Sequence, residues 1–142
     1  RELAVGLGRA VPLLVKLAPD LSETELEQAL ESILAAGIDG VIATNTTIER
    51  PGVKGMEHAD ESGGLSGAPL RERADQVLAR LRTALPPRVA LIGVGGITRG
   101  GHAAHKVSLG ADLVQFYTGF VYRGPDLIAE CLDAIRMARA AA

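Results

Sequence analysis

Cysteine is nearly absent from this chain. Its 142 residues hold one, Cys131, so no intrachain disulfide can form, which fits a reducing compartment. There is no excess of positive charge: the formal net charge is -2. That argues against a general nucleic-acid binder, which carries a basic stripe. No apolar run reaches the roughly 18 residues that span a bilayer, and no signal-peptide pattern is present. The chain is therefore expected to be soluble by itself. It also starts at Arg1 rather than at Met, and is expected to be a piece of something longer.

Several catalytic patterns are missing too. Gly93 and Gly95 match the first two glycines of a G-x-G-x-x-G fingerprint, but the sixth position is Thr98, and there is no G-x-x-x-x-G-K. His102 and His105 lie three apart on an expected helix without the acidic or thiol neighbours of a zinc set. We read them as surface residues and expect no metal. Cys131 falls on an apolar helix face and reads as core rather than as a nucleophile. Asp20, Asp60 and Glu61 form no obvious acid/base pair.

What is present is an alternation of strands and helices. Apolar runs predict strands at residues 12–16, 40–44, 89–93 and 112–116, each followed by a helical pattern. Ser22 and Glu25 form a capping box, with Leu21 and Leu26 at the staple positions. Leu26, Leu30, Ile33 and Leu34 share the face of that first helix, and Gly37 ends it. Leu70, Ala74, Val77, Leu78 and Leu81 make the stripe of the second, which Pro86-Pro87 closes. Gly110 ends the third. The last starts near Gly124-Pro125, with Leu127, Ile128, Cys131, Leu132 and Ile135 as its apolar face.

Gly37-Ile38-Asp39-Gly40-Val41 and Gly110-Ala111-Asp112-Leu113-Val114 echo each other at equivalent junctions. They are either an internal repeat or simply how helix-to-strand junctions look. Alternating β and α elements imply a parallel sheet. Four βα units, in one domain over residues 1–142, make half of a (β/α)8 TIM barrel. Two open sheet edges would result, so either another half is missing or half-barrels associate.

Barrel sites sit at the C-terminal ends of strands. Those ends carry Lys16 with Asp20, then Thr44, Asn45, Thr46 and Thr47, then Gly93, Gly95 and Gly96, then Tyr117 and Thr118. The glycine turn lets backbone N–H groups approach a phosphate. A buried Lys16 would need an anionic partner, whereas a surface Lys16 would only snorkel. Asn45 and Thr46 can hydrogen-bond a planar polar ligand or simply form a turn. Residues 45–68 form a long connection, and such connections are functional or disordered. Leu65 and Pro69 favour order.

Five segments together resemble dihydroorotate dehydrogenase, most closely its class 2, quinone-dependent branch. They are Val15-Lys16-Leu17-Ala18-Pro19-Asp20, Thr44-Asn45-Thr46-Thr47, Glu61-Ser62-Gly63-Gly64-Leu65-Ser66-Gly67, Ile92-Gly93-Val94-Gly95-Gly96-Ile97 and Phe116-Tyr117-Thr118. The resemblance covers nearly the whole chain, in order. It implies an FMN-binding barrel that oxidises dihydroorotate to orotate in pyrimidine biosynthesis, passes electrons to a quinone, and works at the cytoplasmic side of the cell membrane as a peripheral protein.

By the same resemblance, Lys16, Thr44, Gly67, Gly96, Tyr117 and Thr118 hold FMN. Lys16 would lie near the flavin ring, where a cation stabilises negative charge on the reduced form. Gly96, Tyr117 and Thr118 would hold the phosphate through backbone groups. Asn45 and Thr46 would hold the orotate ring. The catalytic base is expected on a serine loop upstream, with the N-terminal half of the barrel; neither Ser62 nor Ser66 takes that role. Arg99 departs from the pattern, which has a small or polar residue there. It either points outward or meets the phosphate.

The rivals are a class 1 enzyme using fumarate or NAD, a flavin-free phosphate-binding barrel lyase or isomerase, and a non-catalytic half-barrel that self-associates.

Overall fold

The computed structural model describes residues 11–50 and 52–141; the expected domain limits, 1 and 142, lie outside them. Strand β1 (Leu14–Leu17) leads to helix α1 (Glu23–Ala35) and strand β2 (Gly40–Ala43). After a long connection, a 3-10 turn (Ala68–Leu70) opens helix α2 (Arg71–Ala84), followed by strand β3 (Ala90–Val94), helix α3 (Gly100–Ser108) and strand β4 (Leu113–Gln115). Two helices close the chain, α4 (Thr118–Arg123) and α5 (Asp126–Ala140). The four expected strands are all present, shifted by a residue or two at their ends. Helix α4 was not expected; its Gly119 packs against the Ile97 carbonyl where no side chain could fit.

The sheet order is β1-β2-β3-β4, and all three pairings are parallel. Every strand thus pairs with its sequence neighbours and the order never reverses, which is barrel topology and not the doubly wound kind. Four parallel βα units in this order form the expected half-barrel. Among the described residues, β1 and β4 are its open edges.

Register explains the two faces. Val15 pairs with Val41, which pairs with Leu91. Leu17, Val41, Ala43 and Leu91 are buried against Leu26 and Ile33 of α1 and Val77, Leu78 and Leu81 of α2. A smaller cluster joins Ala103 of α3 to Leu127 and Cys131 of α5, with Val114 of β4 packed on it. The next row, Lys16, Ile42, Ile92 and Leu113, points the other way. Leu113 is 62% exposed, so this face has no described layer over it. Runs that read as covered on both faces are here covered on one.

The helix signals hold where burial demands them. The Ser22 side chain accepts from the Glu25 N–H, and the Glu25 carboxylate accepts from the Ser22 N–H at 2.8 Å. All five residues of the α2 stripe are buried. On α5, Leu127 and Cys131 are buried but Ile128 and Leu132 are about half exposed. They flank the contact line with α3, so the expected five-residue face narrows. Leu34 of α1 is likewise at the surface.

The echoed junctions are one device used twice. The Asp39 carboxylate accepts from the Leu13 N–H at 2.8 Å while the Asp39 N–H donates to the Leu13 carbonyl at 3.0 Å. Asp112 does the same with Leu91, at 2.7 and 2.8 Å. Each aspartate pins the start of its own strand to a neighbouring strand.

Beneath β3 lies a buried ion pair. Lys106 of α3 is fully buried, and its Nζ sits 2.6 Å from Asp75 Oδ1 of α2. Its stem passes under Gly93, where a Cβ would meet it. Burial pushes the lysine's pKa down, opposed by the Asp75 carboxylate. Removing one partner strands the other charge. We expect Lys106→Met to cost about 3 kcal/mol in urea unfolding, and Lys106→Met with Asp75→Leu to recover most of that loss.

Candidate functional site

The C-terminal ends of all four strands open into one cleft of about 310 Å3. Each strand end contributes. Lys16 of β1 is exposed and has no hydrogen bond or ion pair among the described residues. It is therefore a cation on the open sheet face and not a buried lysine with a protein partner.

Beyond β2, Thr44 is buried, its hydroxyl donating to the Asn45 carbonyl at 2.9 Å. The Asn45 N–H donates to the Leu17 carbonyl at 2.7 Å, which fixes the backbone across β1. The Asn45 amide and the Thr46 hydroxyl have no protein partner among the described residues, and both residues are exposed in the cleft. Thr47 turns away: its hydroxyl donates to Asp20 at 2.5 Å. Asp20 also accepts from the Ile48 N–H at 2.9 Å, so it holds the loop and does not face a substrate.

The long connection is ordered. Thr47 and Leu65 exchange backbone hydrogen bonds of 3.1 and 2.7 Å as an antiparallel bridge. Arg50 donates to the carbonyls of Ile48, Glu49, Ala59, Glu61 and Gly63 and so ties the loop to itself. A larger groove of about 700 Å3 runs beside this scaffold, past Asp20, Arg50 and Arg73. Those three side chains are already hydrogen-bonded within the protein. The loop's return leg brings Ser66 and Gly67 to the cleft. Gly67 has φ +80°, and a Cβ there would press on Thr118. The Thr118 hydroxyl donates to Ser66 Oγ at 2.9 Å, closing the cleft across the loop.

The glycine turn completes the wall. The N–H groups of Gly95 and Gly96 have no hydrogen-bond partner among the described residues, the condition for accepting an anion. Gly96 has φ +70°, and a Cβ there would overlap the Arg71 backbone and Cβ. The turn thus lies directly on the start of α2. Tyr117, 82% exposed, and Thr118 face it from beyond β4. Val94, Ile97, Leu70 and Phe116 supply apolar surface between the polar ends.

All eight residues singled out from the sequence, Lys16, Thr44, Asn45, Thr46, Gly67, Gly96, Tyr117 and Thr118, line this one cleft. Four adjacent strand ends span roughly 14 Å at about 4.8 Å per strand. A ligand touching both Lys16 and Tyr117 must be long.

One correction concerns His102. It is not a free surface residue but half-buried, with Nε2 2.7 Å from Arg71 Nη1 and accepting from Arg99 Nε at 3.0 Å. Arg99 neither points freely outward nor enters the cleft; it is folded onto this ring. Burial, then the Arg71 and Arg99 charges, push the His102 pKa down. No periodicity flags this cluster, because its members come from two helices. Cys131 is core as expected, and burial raises its thiol pKa. Among the described residues, no group of three or more His, Cys, Asp or Glu could hold a metal.

Comparison with known proteins converges on one family. A family model described as dihydroorotate dehydrogenase matches residues 4–138. The chain is 51% identical over 138 residues to the dihydroorotate dehydrogenase (quinone) of Pseudomonas fluorescens strain Pf0-1, and 53% identical over 138 residues to that of Azotobacter vinelandii. Each match covers 97% of this chain, yet the chain spans only 41% and 40% of those relatives. A solved ligand-free DHODH from Eimeria tenella superposes with a TM-score of 0.86 at 36% identity, over 94% of this chain and 38% of that one.

Two outcomes follow from the geometry. A histidine whose folded pKa lies below its ordinary value of 6.5 contributes stability that is fully present above 6.5 and lost as pH falls through the lowered value. Urea midpoints should therefore drop on that acid limb, and His102→Gln should flatten it. Gly96→Ala should cost about 2 kcal/mol or more in the same measurement, from the positive φ and the overlap with Arg71.

Proposed function

The chain belongs to the dihydroorotate dehydrogenase family, and on that premise we propose that it is the C-terminal half-barrel, one domain over residues 1–142, of an FMN-dependent enzyme. The reaction is oxidation of dihydroorotate to orotate in pyrimidine biosynthesis, with a quinone as electron acceptor. The observation that carries this reading is the single cleft lined by Lys16, Thr44, Asn45, Thr46, Gly67, Gly96, Tyr117 and Thr118.

The cleft fits FMN on its own chemistry. Lys16 is a cation without a protein partner, Gly67 leaves space that a side chain would fill, and the Gly95 and Gly96 N–H groups await an acceptor. Lys16, Thr44 and Gly67 hold the ring end, while Gly96, Tyr117 and Thr118 hold the phosphate. FMN supplies the hydride acceptor that no amino-acid side chain can provide.

This chain's own part is to bind and orient. The Asn45 amide, both donor and acceptor, and the Thr46 hydroxyl match the alternating donors and acceptors of the dihydroorotate ring. Holding that ring against the flavin removes the entropic cost of encounter. The Lys16 ammonium favours negative charge developing at its end of the cleft. Val94, Leu70 and Phe116 keep the middle of the site poor in water, which strengthens each polar contact.

Ser66 lines the cleft, but its Oγ accepts from Thr118 and, among the described residues, it has no hydrogen bond to a basic group. The base therefore belongs to the N-terminal half-barrel, which would also cover Ile42, Ile92 and Leu113. Among the described residues, no helix is long and apolar enough to cross a membrane. The quinone, which partitions into lipid, assigns the assembled enzyme to the membrane periphery on its cytoplasmic side.

The test is the absorbance spectrum of the purified protein carrying both half-barrels. Flavin bands that vanish on dialysis of Lys16→Ala but persist in the unmutated protein are expected; colourless protein overturns the reading. The 142-residue chain alone should bind FMN weakly and give no turnover. Measurable dihydroorotate oxidation by it would contradict the placement of the base.

A further inference from the structure

Asp20 lies in the turn just past β1, yet both of its carboxylate oxygens serve the chain beyond β2. Oδ1 accepts from the Thr47 hydroxyl at 2.5 Å, and Oδ2 accepts from the Ile48 N–H at 2.9 Å. Asp20 is itself held in place. The preceding Pro19 is fully buried, its φ fixed by its ring, and its carbonyl accepts from Arg73 Nε of α2 at 2.9 Å. Thr47 is buried as well, and its hydroxyl oxygen also accepts from the Glu49 N–H at 3.0 Å. A buried hydroxyl needs an acceptor, so the Asp20 contact fixes which way Thr47 faces.

That direction governs the two residues before it. The chain is bonded on both sides of Asn45 and Thr46. The Thr44 N–H donates to the Val94 carbonyl at 3.2 Å and the Asn45 N–H to the Leu17 carbonyl at 2.7 Å, while Thr47 is held by Leu65 and Asp20. Successive side chains of extended chain point to opposite sides, so burying Thr47 turns Thr46 outward to the cleft. The Thr46 side chain then lies against Gly64, where a Cβ would overlap it. Arg50 holds the adjoining Gly63 carbonyl at 2.8 Å. Neither Asp20 nor Thr47 is in the cleft lining.

We propose that Asp20, acting through Thr47, is a positioning residue: it locks the segment that carries Asn45 and Thr46 to the end of β1, and so sets the place of the substrate ring relative to Lys16. This inference rests on the functional reading of the cleft. Both Asp20 oxygens are occupied, so what the residue supplies is geometry and not a free charge. The strut joins the first two strand ends only. The glycine turn and Tyr117-Thr118 follow β3 and β4, so its loss disturbs the substrate end and spares the other. A misplacement of about 1 Å in a site of this kind can cost on the order of 100-fold.

The test uses the flavin-loaded protein carrying both half-barrels. Asp20→Ala should raise KM for dihydroorotate and the dissociation constant of orotate about tenfold, with flavin content per chain unchanged. Asp20→Asn should recover most of the affinity, because its amide oxygen can accept from Ile48 and its amide N–H can donate to Thr47. A purely structural role predicts otherwise: a smaller folded fraction lowers turnover and leaves KM and orotate affinity alone. Thr47→Val, which keeps the branched shape, should weaken orotate about threefold, and adding it to Asp20→Ala should cost little more, as for residues that act as one unit.

Unchanged orotate affinity in flavin-loaded Asp20→Ala overturns the proposal, as does an Asp20→Asn variant as weak as Asp20→Ala. Should Asp20→Ala lose its flavin, Thr47→Val decides by the same readings. Unmutated protein that holds flavin but binds no orotate overturns the functional reading itself, and this inference with it.

Discussion

Parallel pairing in sequence order is the constraint from which the rest follows. A parallel strand can be reached only by a crossover, so each strand is followed by a helix that returns along the back of the sheet. Every strand then ends on the same edge. Lys16, Thr44, Gly95 and Tyr117, spread over about a hundred positions of chain, become neighbours because the register aligns their strands. The same constraint puts the helices on one face and leaves the row Lys16, Ile42, Ile92 and Leu113 on the other.

Around the glycine turn, packing and charge are arranged together. Gly95 and Gly96 lie so close to α2 that side chains there would strike Leu70, Arg71 and Ala74. Polar contacts tie α2 to α3 behind the turn, among them the buried Lys106–Asp75 pair and the Arg71–His102 contact. Rigid backing of this kind holds N–H groups in position without a bound ligand, and that preorganisation is what makes backbone donors effective.

The open face and open edges bear on how the chain works. It spans about two-fifths of the relatives it matches, and its sheet shows apolar residues where a barrel would have an interior layer. On the proposed function, this chain supplies binding groups and the other half of the barrel completes the chemistry. Among the described residues, the side chains of Lys16, Asn45 and Thr46 in the cleft have no protein partner, and that leaves them available to a ligand.

Local physics made much of this legible in advance. The capping box of Ser22 and Glu25, the α2 stripe and the glycine stops depend on neighbours within a turn or two, so the sequence alone determined them. It determined the four βα units as well, because hydrophobic period and breakers are local, and with them the strand-end residues that meet in the cleft. Helix α4 escaped notice because its six residues are too few to show a period. Only the tertiary structure decided which flanks of α5 face solvent, since that depends on the contact line with α3. It alone brought Arg71 to His102 across 31 positions and folded Arg99 onto the same ring. Charges gathered from separate helices leave no periodic trace in a chain; they exist as a group only once the sheet has brought the helices together.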